Sequence, residues 1–221
     1  MLSISNSELK NKALGDLKGN WTQPVLATLV YVLIAAIFSD TPYVKHTYTN
    51  GIQTTQTNFT VWSGICLLVS LFFILPMAYS YMLIFLDFIR GEKEKLVGKL
   101  FSFFKNYGRA FGTSFMIMLY TILWSLLLVI PGIIKALAYS MTYFSSKDHP
   151  EYSIDECIEA SKRMMDGHKG ELFVLYLSFI GWFLLGILTL GIGYLWLIPY
   201  MDTTIAHYYE ELKAEPETVQ E

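Results

Sequence analysis

MMDGHKGELFVLYLSFIGWFLLGILTLGIGYLWLIPYMDTTIAHYYEEL, residues 164–212, opens on a charged joint and ends in charge. Between them run about two bilayer thicknesses of apolar residues, with a Gly-rich break in the middle. Residues of this kind at this length predict a transmembrane helical hairpin. The rest of the chain reads as two further versions of the unit, each preceded by an amphipathic helix.

Composition agrees. The 221 residues are 53% hydrophobic and 16% charged, with a net charge of -3. A soluble domain carries about 25% charged residues. Long stretches here hold almost no charge and short ones hold nearly all of it, as expected where the solvent alternates between lipid and water. The acidic balance, with no basic patch interleaved with aromatics, argues against a nucleic-acid partner. Cys66 and Cys157 fall in a span and in a charged segment, which disfavours a disulfide and offers no metal spacing. No cleavable signal peptide is expected, because an amphipathic segment of about 20 residues precedes the first apolar run.

From the N-terminus, residues 5–18 carry a capping box, Ser5 with Glu8, and an apolar face of Leu9, Ala13, Leu14 and Leu17. Such a helix either lies on the membrane surface or docks on its own protein. Trp21 stands where an interfacial aromatic belongs, before span one at 24–38. The Thr-rich 39–60 places Asn50-Gly51 between alternating residues, which predicts a small β-hairpin or ordered loop. Span two covers 61–89, with a kink expected at Pro76. In 91–107, Leu96, Leu100, Phe103, Phe104 and Tyr107 recur at helical spacing beside lysines, which predicts a helix lying among lipid headgroups.

Residues 109–147 would measure about 58 Å as one helix, nearly twice the hydrocarbon core. They must turn, and Pro131-Gly132 is the strongest breaker. That gives span three at 110–130 and a short span four at 133–146, which either crosses or re-enters. Residues 147–169 read as water-facing, with a capping box at Ser153 and Glu156. Spans five, 171–188, and six, 192–208, meet at Thr189-Leu190-Gly191, and 214–221 read as an acidic flexible tail.

The expected fold is therefore all-α: a polytopic transmembrane helix bundle of about six spans in three hairpins, with cytoplasmic amphipathic interfacial helices. Residues 1–213 form one integral membrane domain, with 39–60 as an external loop. Lys and Arg fix the orientation. One side collects Lys10, Lys12, Lys18, Arg90, Lys93, Lys95, Lys99, Lys105, Arg109, Lys147, Lys162, Arg163, Lys169 and Lys213, leaving Lys45 and Lys135. The positive-inside rule then puts both termini in the cytoplasm. Lys93, Lys95, Lys99, Lys105 and Arg109 are the candidate interfacial basic residues.

No phosphate-binding glycine loop, zinc-protease helix or nucleophile elbow is present. The expectation is a protein without cofactor, catalytic residue or metal site. Asp202, Lys135, Asp87 and His207 are the ionisable residues at or near membrane depth, and so form the candidate intramembrane polar site. The bland alternative is that Asp87 and His207 lie near exits and that Lys135 snorkels. Asp202 follows Pro199, so a pair of Asp202 with Lys135 inside the bundle is the sharper hypothesis. Pro76, Pro131 and Pro199 are the expected helix kinks.

LLLVIPGIIKALAYSMTYF, residues 126–144, and EASKRMMDGHKGELFVLYLSFIGWFLLGILTLGIGYLWLIPY, residues 159–200, resemble an uncharacterised bacterial family of integral membrane proteins, domain of unknown function nine-seven-five. That family is distantly similar to the membrane domain of some glycerophosphoryl diester phosphodiesterases. The resemblance implies a bacterial inner-membrane protein and carries over no catalytic residue. The expected function is non-enzymatic: envelope organisation or assembly through membrane lipids, a protein partner or a homo-oligomer. The alternative is a small-solute or lipid transporter with its site near Asp202 and Lys135.

Overall fold

A computed structural model of the chain describes residues 4–39, 44–49, 52–57 and 60–215. The described residues are almost entirely helical. Helix α1, Asn6–Leu17, begins where the capping box predicts: the Ser5 hydroxyl accepts from the Glu8 amide, and Glu8 accepts from the Ser5 amide. Leu9, Ala13 and Leu17 are fully buried. Between the two options left open by its sequence, α1 thus docks on its own protein. Its Lys10 lies 4.1 Å from the centre of the Phe179 ring, and its Lys12 pairs with Glu211. Helix α2, Thr22–Ile37, follows after a turn of 97°.

Strands β1, Val44–Thr49, and β2, Ile52–Thr57, pair antiparallel with Thr49 opposite Ile52, the register expected for a two-residue hairpin. The turn residues Asn50 and Gly51 lie outside the described residues, as do 216–221 of the tail.

Residues 61–89 form one long helical stretch: α3, Val61–Val69, a π-helical turn Ser70–Ile74, and α4, Leu75–Ile89. Pro76 has no N–H to give, and the widened turn just before it absorbs that loss. A short α5, Leu96–Lys99, and a 3-10 segment, Leu100–Asn106, lead into α6, Tyr107–Leu127. Leu96, Leu100 and Phe103 are buried in the bundle, while Phe101 and Phe104 stay exposed. The apolar stripe of this segment is thus divided between protein and surface.

The turn expected at Pro131-Gly132 falls earlier. Leu128 is extended, with φ −161° and ψ 147°, and α7 runs Val129–Tyr139 with Pro131 in its first turn. Proline fits a first helical turn, because the amide it lacks has no intrahelical partner there. Gly132 serves the contact between the two helices instead: a Cβ there would lie 2.8 Å from Ser125 Cα. Span four is not one helix. The chain breaks at Ser140–Met141, and α8 occupies Thr142–Asp148. At about 16 Å, α7 is half the thickness of the hydrocarbon core.

After the capping box at Ser153 and Glu156 come α9, Ile154–Met164, α10, Lys169–Leu177, and α11, Ile180–Leu188. The last helix, α12, runs Tyr194–Ala214 through Pro199 without a break. Three helical stretches are long and apolar enough to cross a membrane: Val61–Ile89, Leu96–Leu127 and Lys169–Leu188. The bent pair Asn6–Leu17 and Thr22–Ile37 would make a fourth.

Burial divides the molecule. Helix α4 and the C-terminal half of α12 are the centre of the core, with Met77, Ile84, Phe85, Phe88, Ile205, Tyr208 and Tyr209 buried. The far ends of the same helices, and of their neighbours, are bare. Val61 is 84% exposed, Leu126 84%, Leu128 64% and Leu190 94%. The bare ends lie in or beside helical stretches whose other ends carry charge: Val61 opens the stretch that Arg90 follows, Leu126 is late in α6 with Arg109 early, and Leu190 precedes α12 with Lys213 late.

Candidate functional site

Two groups of polar side chains stand out: a lattice of charge at one end of the bundle and a polar layer inside it. The lattice is centred on Asp148. Arg90 donates two hydrogen bonds to its carboxylate, at 2.6 and 2.7 Å, and Tyr209 and Lys213 add one each at 3.0 and 2.5 Å. The Arg90 Nε also reaches Glu210 at 2.7 Å. Asp148 therefore ties the end of α8 to the residue after α4 and to α12. Burial would push its carboxyl up, but the bonds from Arg90, Lys213 and Tyr209 outweigh that and hold it well below the usual carboxylate range. Nothing in the periodicity of the sequence singled out Asp148. The signal lies in its place, the first acid after the apolar run 110–146, in a segment that reads only as water-facing.

Asp87 pairs with Lys147, and with Lys99 at 3.3 Å. His207 lies 2.9 Å from Asp16, which also pairs with Lys93 at 3.2 Å. Two members of the candidate intramembrane site, Asp87 and His207, thus belong to the charged lattice. Among the candidate interfacial basic residues, Lys93 and Lys99 are spent on internal pairs, whereas Lys95 and Lys105 are exposed.

Arg109 faces inward. Its guanidinium donates to the carbonyls of Ser146, His149, Pro150 and Tyr152 at 2.8–3.0 Å, and to the Ser146 hydroxyl at 2.8 Å. Among the described residues, no carboxylate hydrogen-bonds to it, and Glu151 feels its charge only at longer range. The five-donor fork suits the carbonyls left unpaired where α8 ends and the chain turns toward α9.

The inner layer holds Asp202, which is 4% exposed. Tyr81 donates to its Oδ2 at 3.1 Å, and the Tyr81 oxygen lies 3.0 Å from the Thr28 hydroxyl. Thr28 in turn donates to the Pro24 carbonyl at 2.9 Å, and Tyr31 stacks on Tyr81 at 4.5 Å. On the same helix, Thr203 donates back to the Pro199 carbonyl at 2.6 Å. Lys135 is not part of this layer. Its ammonium sits over the Trp124 ring, 4.6 Å from the centroid. The expected pair of Asp202 with Lys135 is not formed, because α7 turns back along α6 and carries Lys135 to the outside of the bundle.

Of two open clefts on the described surface, neither is lined by Asp202. One lies beside α1, at Glu8, Lys12 and Glu211. The other, of about 390 Å³, lies between α6, α7 and α9 and contains Lys135. Among the described residues, no group of three or more His, Cys, Asp or Glu is placed to hold a metal ion.

No curated protein and no solved structure matches the chain. A family does, over residues 1–138 and again over 117–216. The chain belongs to the family described as Protein of unknown function (DUF975).

Proposed function

We propose that this is a non-enzymatic, multi-pass protein of the bacterial inner membrane that acts in envelope organisation through lipid contacts, with both termini cytoplasmic. The observation that carries this reading is the division of the molecule into a well-packed end carrying the charge and bare apolar helix ends. Apolar patches of this size on a soluble protein would aggregate, and lipid is the solvent that suits them. The hairpin of α6 and α7 has no charged residue between Arg109 and Lys135. In this reading it enters the membrane along α6 and returns along α7 to the side it came from, while the other apolar stretches cross. Both termini stay on one side either way, with the β-hairpin opposite. The likeness to the phosphodiesterase membrane domain adds no hydrolytic chemistry to the proposal.

The transporter reading keeps one supporting feature, the buried Asp202. It lacks the second, since Lys135 stands elsewhere. Lipid and solute profiling of deletion and wild-type cells tests the choice. An altered lipid profile restored by both wild-type and Asp202→Asn protein is expected. A solute difference restored by wild type but not by Asp202→Asn would favour transport.

A further inference from the structure

The cleft between α6, α7 and α9 is built unlike the rest of the surface. Its walls are aromatic: Tyr120 and Trp124 from α6 and Tyr139 from α7, with the Tyr120 and Tyr139 rings 6.1 Å apart. Its charges come in opposite pairs. Lys135 and Lys162 supply two ammonium groups, and Asp155 and Glu159 two carboxylates. One of each is already matched, since Lys162 donates to Glu159 at 2.6 Å. The other two make no direct ion pair: among the described residues, Lys135 lies over the Trp124 ring and feels Glu159 only at longer range, and Asp155 stands in the first turn of α9. Beyond the cleft, the hairpin end from Leu126 to Ile130 is bare and apolar.

We infer that this cleft binds the headgroup of a zwitterionic phospholipid bearing a primary ammonium, as in phosphatidylethanolamine. The inference rests on the lipid-contact reading above and names the ligand class. The phosphate meets Lys135 and the ammonium meets Asp155, so each charge without a direct ion pair gains one. The lining residues carry no net charge, which favours a zwitterion over an anionic lipid. Trp and Tyr rings at the mouth are the side chains that settle at headgroup depth. The acyl chains continue along the apolar hairpin. A volume of about 390 Å³ lies within the range of about 300–1,000 Å³ typical of small-ligand sites.

The test uses the full chain in detergent micelles with equal mole fractions of phosphatidylethanolamine, phosphatidylcholine and phosphatidylglycerol, followed by native mass spectrometry of the retained lipid. Phosphatidylethanolamine is expected to be retained roughly tenfold over the other two, the effect of one charge-assisted hydrogen bond. Asp155→Asn should abolish that preference and Lys135→Gln should lower retention of all three lipids, each with at most a small change in melting temperature, whereas Lys105→Gln should alter neither preference nor retention. Equal retention of phosphatidylcholine would overturn the role of the ammonium. Preference for phosphatidylglycerol would overturn the zwitterion, and no preference in wild type would overturn the site. Lipid quenching of a probe at Leu128 in the same protein separates the two claims. Quenching without headgroup preference removes only the site, whereas no quenching removes the lipid-contact reading as well.

Discussion

Arg90 and Asp148 face each other fork to fork, with two hydrogen bonds of 2.6 and 2.7 Å between residues 58 positions apart. Their pairing locks the exit of α4 to the end of α8, and Lys213 and Tyr209 bring α12 to the same carboxylate. The Asp148 side chain is only 10% exposed, but Arg90 and Lys213 are 34% and 36% exposed, and Arg90 keeps Glu210. Asp148→Asn is therefore expected to cost about 1–2 kcal/mol, less than a fully buried pair, read from thermal unfolding in detergent.

The same carboxyl sets an acid limit. Its folded-state value is depressed, so its stabilisation is complete above the unfolded value near pH 4. It is lost as pH falls from there through the folded value. Wild type should therefore lose melting temperature below about pH 4, with a shallower loss in Asp148→Asn. Parallel curves for the two proteins would show that Asp148 carries no such linkage.

Arg109→Lys keeps the charge and loses the fork. Lysine has three donors on one nitrogen and cannot span the carbonyls of Ser146, His149, Pro150 and Tyr152. A loss of about 2 kcal/mol is expected, with faster proteolysis between α8 and α9. Unchanged stability and cleavage would leave Arg109 as an ordinary interfacial charge.

Two glycines separate backbone from side-chain crowding. A Cβ at Gly132 would meet Ser125 Cα at 2.8 Å, which only a shift of α7 against α6 relieves. A Cβ at Gly112 would meet the tip of Ile154, at 2.4 Å from Cδ1, which can rotate away. Gly132→Ala should cost about 1–3 kcal/mol and perturb Trp124 fluorescence, since the Lys135 contact moves with the hairpin. Gly112→Ala should cost less, and the reverse order would contradict the packing described.

Much of this was legible in the residues themselves. The long apolar stretch 61–89, the capping boxes at Ser5 and Ser153, and the strand pairing around Asn50-Gly51 follow local rules, and those elements stand where the sequence puts them. The turn at Leu128 was not, because proline ends a helix or begins one, and the residues alone do not say which. Partners were not legible either. Asp202 was found as a polar residue in an apolar run, but its bond to Tyr81, 121 positions away, depends on how α4 meets α12. Arg109 carries the same lesson, since its partners are main-chain carbonyls that no side-chain pattern marks.

Tyr81→Phe probes that inner bond. It removes the donor to Asp202 Oδ2 and the neighbour of the Thr28 hydroxyl. A loss of about 1–3 kcal/mol is expected, larger than that of Tyr107→Phe, whose hydroxyl donates to the exposed Phe72 carbonyl. Equal losses would mean that the inner layer adds nothing beyond packing.

Immersion of the hairpin ends is the claim on which the lipid-contact reading stands. It is measured by fluorescent labels on single cysteines at Leu128 and Leu190, in protein lacking Cys66 and Cys157, reconstituted into lipid vesicles. Strong quenching by lipids spin-labelled on the acyl chain, with little quenching by aqueous iodide, is the expected result at both positions. Free access of iodide to either label, with no quenching from the acyl chains, would contradict it.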